Sequence, residues 1–185
     1  TYTGGATDVS SLSFQPDWVW AKKRDGNESH GLFDAVRGAT KALKANSVNS
    51  EDTRSGSLTS FDNDGWSMGG SDGIISASGS TYVGWAWKAN GSGSANTDGG
   101  INSTVSVNNT AGFSIVKYGT GTGSATTVGH GLNAKPNFII VKPLGTIDTG
   151  GWIIGGDNVD STYNHVLELN TTVARANDTS FNDTA

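Results

Sequence analysis

LSFQPDWVWAKK, residues 12 to 23, returns 120 residues later as LNAKPNFIIVKP, residues 132 to 143. Leu12 aligns with Leu132, Pro16 with Pro136, Asp17 with Asn137 and Lys22 with Lys142. The run Trp18-Val19-Trp20-Ala21 aligns with Phe138-Ile139-Ile140-Val141. Two more matches follow in the same order: ALKANS (42 to 47) with VLELNT (166 to 171), and TSFDND (59 to 64) with TSFNDT (179 to 184). Ordered self-similarity of this kind is the mark of a repeated structural unit. At the aligned positions Trp gives way to Phe and Ile while bulk is kept. That pattern suits a buried strand better than a ligand platform, which needs flat rings.

Composition sets the class of both copies. Glycine supplies 27 of 185 residues and proline 3, with Ser, Thr, Asn and Asp filling much of the rest. These residues favour turns over helix interiors. The large apolar groups fall in short runs bounded by them, the pattern of an all-β sandwich. We therefore expect two tandem β-sandwich or jelly-roll-like modules. The first spans 1–89, a Gly/Ser/Asn-rich linker with a lead-in strand spans 90–111, and the second spans 112–185. DAVRGATK leads into a strand at 41–46, with a short helical turn around 34–38. Further strands are expected at 74–75 and 82–87. In the last, Val83, Trp85 and Trp87 share one face and Tyr82, Gly84 and Ala86 the other. WVWA and FIIV are apolar on both faces, so each needs two covers.

The second copy stops after SFNDTA, before any counterpart of GWSMGGSDGIISASGSTYVGWAWK. The expectation is a longer polypeptide, or another chain that completes the sheet. The start, TYTGGATD, carries neither an initiator Met nor a signal-peptide pattern, as in a processed chain or a fragment.

The formal net charge of -5 argues against nucleic acid, whose binders carry a basic field. With no cysteine there is no disulfide framework, thiolate metal site or thiol nucleophile. No apolar run approaches the roughly 20 residues that cross a bilayer. YGTGTGS (118 to 124) lacks the Lys-Ser/Thr ending of a phosphate loop and has no following helix. His30, His130 and His165 show no metal-ligand spacing. DNDG (62 to 65) lacks the spaced acids and closing Glu of a calcium loop and reads as a turn. Asp17, Asp34, Glu51 and Asp52 offer carboxylates but no pairing that would identify a glycosidase. Asn90, Asn102 and Asn170 begin sequons that this composition produces by chance. No enzyme and no cofactor are expected. Trp66 and Trp152, which flank turn-rich stretches, are the candidates for stacking on a sugar ring, provided that they are exposed.

The succession LSFQPDWVWAKKRDGNESHGLFDAVRGATKALKANS, LTSFDNDGWSMG and GSTYVGWAWKA resembles a module in virion proteins of marine tailed bacteriophages. GFSIVKYGTGTGSATTVGHGLNAKPNFIIVK (112 to 142) resembles the start of a second copy in the same proteins, and DAVRGATK and TYVGWAWK are the most specific parts. The resemblance implies a structural component, a tail fibre or similar appendage that contributes to host attachment on the particle surface. It implies assembly with other virion proteins and with copies of itself, a trimer being favoured, and contact with host surface glycan. A carbohydrate-binding module and a capsid decoration protein are the alternatives. No nucleic-acid partner and no membrane insertion are expected.

Overall fold

The computed structural model describes residues 1–119, 126–145, 150–172, 174 and 176–177. The chain is all-β, and among the described residues there is no helix. The strands are β1 Tyr2–Thr3, β2 Asp8–Val9, β3 Trp18–Lys23, β4 Gly31–Asp34, β5 Lys41–Lys44 and β6 Asp52–Thr53. Next come β7 Leu58–Asp62, β8 Gly65–Met68, β9 Thr81–Trp87, β10 Ser94–Asn96, β11 Ser103–Asn108 and β12 Phe113–Tyr118. The last four are β13 Ile139–Val141, β14 Ile153–Gly155, β15 His165–Glu168 and β16 Ala176–Asn177. The strand pairs whose register is described are all antiparallel.

Two compact units result, the first of residues 1–42 and 52–133, the second of 43–51 and 134–185. In the first, a six-stranded sheet runs β1-β9-β3-β4-β5-β6 and a three-stranded sheet runs β2-β8-β7. Their apposed faces form a sandwich core. Val19, Ala21, Phe33 and Ala42 of the large sheet meet Leu58, Trp66 and Met68 of the small one. Ile74 and Ile75 join this core from a turn rather than from the expected strand. The cause is Asp72: its carboxylate accepts from the Ile74 N–H at 3.1 Å, and its carbonyl accepts from the Ser76 N–H at 2.7 Å. A side chain that satisfies the backbone locally displaces the ladder.

The span 90–111, expected as a linker with one lead-in strand, holds two strands. β10 and β11 occupy it, and with β12 they form a further three-stranded sheet in the first unit. The boundary therefore falls after residue 133 instead of at 111/112, and residues 43–51 join the second unit. Glycine here serves close approach, not flexibility. Gly93 has φ +78°, and a Cβ on it would sit 2.7 Å from the Val105 carbonyl oxygen. Composition resembles that of a linker because tight antiparallel strands and linkers both use glycine.

The second unit contains a four-stranded meander, β13-β14-β15-β16. It repeats β3-β4-β5-β6 in register. Val19 faces Phe33 and Ala21 faces Gly31 in the first copy, as Ile139 faces Gly155 and Val141 faces Ile153 in the second. Lys41 pairs with Thr53 and Ala42 with Asp52, as His165 pairs with Asn177 and Val166 with Ala176. The same turn closes the third strand each time, Ser47 N–H to Lys44 O and Thr171 N–H to Glu168 O. The third match, TSFNDT, lies outside the described residues.

The shared lysine has a shared task. Lys22 Nζ donates to the carbonyls of Lys23, Gly26 and Glu28 at 2.9, 3.3 and 2.9 Å. Lys142 Nζ donates to those of Pro143, Gly150 and Val48 at 3.0, 3.0 and 3.2 Å. Each ammonium plugs the mouth of the connection that follows its strand, supplying donors to carbonyls that the ladder leaves over.

The aspartate preceding β3 also fastens the sheet. Asp17 is buried, and its carboxylate accepts from the Ala89 N–H at 2.7 Å, while its carbonyl accepts from Ala35 N–H. Asn137 keeps the corresponding carbonyl bond, to Asn158 N–H at 3.0 Å, but its side chain is exposed. Replacing Asp17 by Leu orphans a buried amide and should cost about 1–3 kcal/mol. Replacing Asn137 by Leu should change stability by less than about 0.5 kcal/mol. Chemical denaturation of both variants checks this; equal losses would contradict the assignment.

Candidate functional site

An aromatic face on the six-stranded sheet

Alternation along β3 and β9 sends small residues one way and tryptophans the other. Ala86 lies beside Val19 and Gly84 beside Ala21. Both pairs face the sandwich core, where space is short: a Cβ on Gly84 would lie 3.1 Å from the Trp66 ring. The small residues thus make room for Trp66, the close approach of a second layer that the sequence pattern allows. The opposite face then carries Trp18 beside Trp87 and Trp20 beside Trp85.

Trp66 and Trp152, the two expected stacking residues, are not on this face. They are 2% and 4% exposed respectively. Trp66 packs edge-on against Tyr2 at 5.7 Å, and Trp152 donates its indole N–H to the Lys44 carbonyl at 2.8 Å. A ring buried in the core has no face left for a sugar, so both are corrected to structural residues. Segments far away in sequence, Tyr2 and Gly84 at Trp66 and Lys44 at Trp152, enclose them instead.

The exposed rings are Trp85 at 46% and Trp87 at 36%. Trp18 and Trp20 are half-buried beneath them, which corrects the expectation that Trp18-Val19-Trp20 is wholly a core strand; only Val19 is fully interior. Trp18 sits 4.7 Å from Trp87 and stacks on Phe113 of β12 at 5.6 Å, centroid to centroid. Trp20 meets Trp85 edge-on at 6.3 Å. This packing fixes the rings before any ligand arrives, which lowers the entropy lost on binding. Among the described residues, the indole N–H groups of Trp85 and Trp87 have no hydrogen-bond acceptor. Two aromatic faces with free donors suit a ligand with an apolar side and a hydroxyl rim.

His30 borders the strip. Its Nδ1 accepts the Trp20 indole N–H at 2.9 Å, which requires the tautomer protonated at Nε2. Burial, then the nearby Lys22 charge, holds the imidazole below its usual pKa.

The other sequence candidates lie apart from this face or are consumed by structure. Asp34 pairs with Arg37, while Arg54 joins Asp52 at 3.3 Å to Asp72 at 2.7 Å. DNDG forms the β7–β8 turn, and the Asp62 carboxylate accepts from the hydroxyls of Ser60 and Ser67. His130 Nδ1 accepts from the Leu132 N–H, and His165 Nδ1 lies 2.7 Å from Asp160. Most of YGTGTGS lies outside the described residues. Among the described residues, no group of three or more His, Asp or Glu side chains is placed to hold a metal ion.

One family matches the whole chain, residues 1–185: Domain of unknown function (DUF7483). The chain belongs to that family. No curated protein and no solved structure matches it.

Core and face should separate under mutation. Trp66→Ala should cost about 3–5 kcal/mol and Trp85→Ala about 1 kcal/mol or less; thermal denaturation measures both. The His30 bond has its own pH signature. A depressed histidine contributes stability that is complete above the free-imidazole value of about 6.5 and lost as pH falls through the lower folded value. The Trp20 indole N–H resonance should therefore move as pH falls below about 6.5, the free-imidazole value. An unmoved resonance would show that His30 does not accept this bond.

Proposed function

We propose that this member of the DUF7483 family is a structural, non-catalytic component of a tailed-phage virion, a tail fibre or similar appendage. In this reading its aromatic face contacts glycan on the host surface. The observation that carries the reading is the pre-packed strip of Trp18, Trp20, Trp85 and Trp87, open at Trp85 and Trp87.

The two stretches that most resemble phage virion modules have physical roles in the scaffold. DAVRGATK is the β4–β5 connection, closed by the Asp34–Arg37 ion pair, and TYVGWAWK is β9 with its aromatic face. The resemblance thus falls on the frame and on the face together. A duplicated meander with polar loops fits a particle-surface protein, in which repeated units set length and spacing.

Area favours a sugar over a protein on the strip itself. A large aromatic side chain offers roughly 150–250 Å², so the exposed parts of Trp85 and Trp87 amount to on the order of 200 Å². A stable protein interface needs about 800 Å² from each partner. Two half-open rings are the right scale for a short oligosaccharide segment. The same face favours the second reading, a carbohydrate-binding module outside a virion.

Two measurements separate these readings. Immunogold labelling of purified virions should decorate the tail or its fibres; a particle without label overturns the virion assignment. Binding to host polysaccharide should quench tryptophan fluorescence, and Trp85→Ala with Trp87→Ala should weaken it at least about tenfold, as loss of a tryptophan anchor does. Unchanged binding by the folded double variant removes the aromatic face from the role.

A further inference from the structure

The two meanders differ at one edge. In the first unit the outer side of β3 is filled by β9, with Trp18 opposite Trp87, Val19 opposite Ala86 and Lys22 opposite Val83. In the second unit β13 pairs with β14, and on its other side no strand lies among the described residues. Four equivalent positions record the difference. Phe138, aligned with Trp18, is 52% exposed. Asn137, aligned with the buried Asp17 that binds the amide just beyond β9, has an exposed side chain. Ile139 and Val141, aligned with the buried Val19 and Ala21, are only half-buried.

The backbone on that side is aimed outward. The Arg24 N–H donates to the Thr81 carbonyl, which directs the even-numbered amides of β3 toward β9. The shared register transfers this to Phe138 and Ile140, whose amides then point away from β14. A sheet edge with outward amides and an uncovered aromatic ring is a template for one more strand.

We propose that the β13 edge binds an extended segment of the β9 type, one alternating aromatic residues with Gly or Ala and free of proline. The first unit states what such a strand must carry. Its small residues lie opposite the positions of Ile139 and Val141, where bulk is already supplied by β13. Its aromatics lie beside Phe138 and Ile140, covering the ring that Trp87 covers at Trp18. β9 of a second copy does not serve, because it is already held between β1 and β3. The segment is therefore an unpaired strand from further polypeptide. This inference is independent of any ligand at the aromatic face.

The probe is a labelled synthetic peptide of residues 81–88, TYVGWAWK, added to the intact chain. Saturable binding is expected by fluorescence anisotropy, with a scrambled peptide at least tenfold weaker. Hydrogen exchange should show new protection at Phe138 and Ile140 and no loss at residues 81–87. Ile140→Pro removes an outward amide and should weaken binding at least tenfold. Phe138→Glu, at a position already open to water, should weaken it while leaving the melting temperature within a few degrees, so the inference survives a misfolded proline variant. Absent binding, or binding unaffected by Phe138→Glu, overturns it. So does protection at Phe138 and Ile140 in a homodimer before peptide is added, which would make a second copy the occupant.

Discussion

A strand that is apolar on both faces has to be covered twice, and β3 imposes this requirement on the first unit. Its inner face is met by the β2-β8-β7 sheet, through Val19 and Ala21 against Trp66 and Met68. Its outer face is met by its own kind, with tryptophans from β9 and Phe113 from β12 closing over Trp18 and Trp20. Burial of an aromatic side chain is worth a few kcal/mol, so the inner cover, which encloses Trp66, carries more of the stability than the outer one, left open at Trp85 and Trp87. The order of strands follows: β9 must return across a long loop to lie beside β3, and Asp17 fastens it there by holding the Ala89 amide.

The fold class and the duplication are legible in the sequence because both rest on local patterns. Short apolar runs between turn residues specify antiparallel strands. Pro16, Lys22 and their counterparts mark the same strand twice, and the paired registers of the two meanders agree with that alignment. The strand expected at 41–46 is found as the shorter β5, Lys41–Lys44. Where a short helical turn is expected around 34–38 there is a single hydrogen-bonded turn, Gly38 N–H to the Asp34 carbonyl, and no helix. The unit boundary is less legible, since Gly93 in a tight strand approach looks in sequence like Gly91 in a connection. Ile74 and Ile75 mislead for a related reason: a buried turn and a short strand bury the same residues, and only the Asp72 carboxylate decides between them.

The candidate site is half legible. Alternation in Tyr82-Val83-Gly84-Trp85-Ala86-Trp87 sorts two faces correctly but does not say which one meets the core. The small residues decide it: the second layer brings Trp66, and only glycine and alanine leave space for it. The signal was present in the small residues rather than the large ones. Trp66 and Trp152 could not be judged in this way, because each is buried by segments far away in sequence.

The lysine plugs have a consequence for how such a protein diversifies. In most hairpins the connection's length dictates its turn type and so the register of the strands it joins. Here a side chain, not a turn, seals the mouth, and the same device closes residues 24–30 in one copy and the longer span 142–152 in the other. Register and loop length are thereby uncoupled. A scaffold built in this way can exchange the segments it displays without renegotiating its pairings.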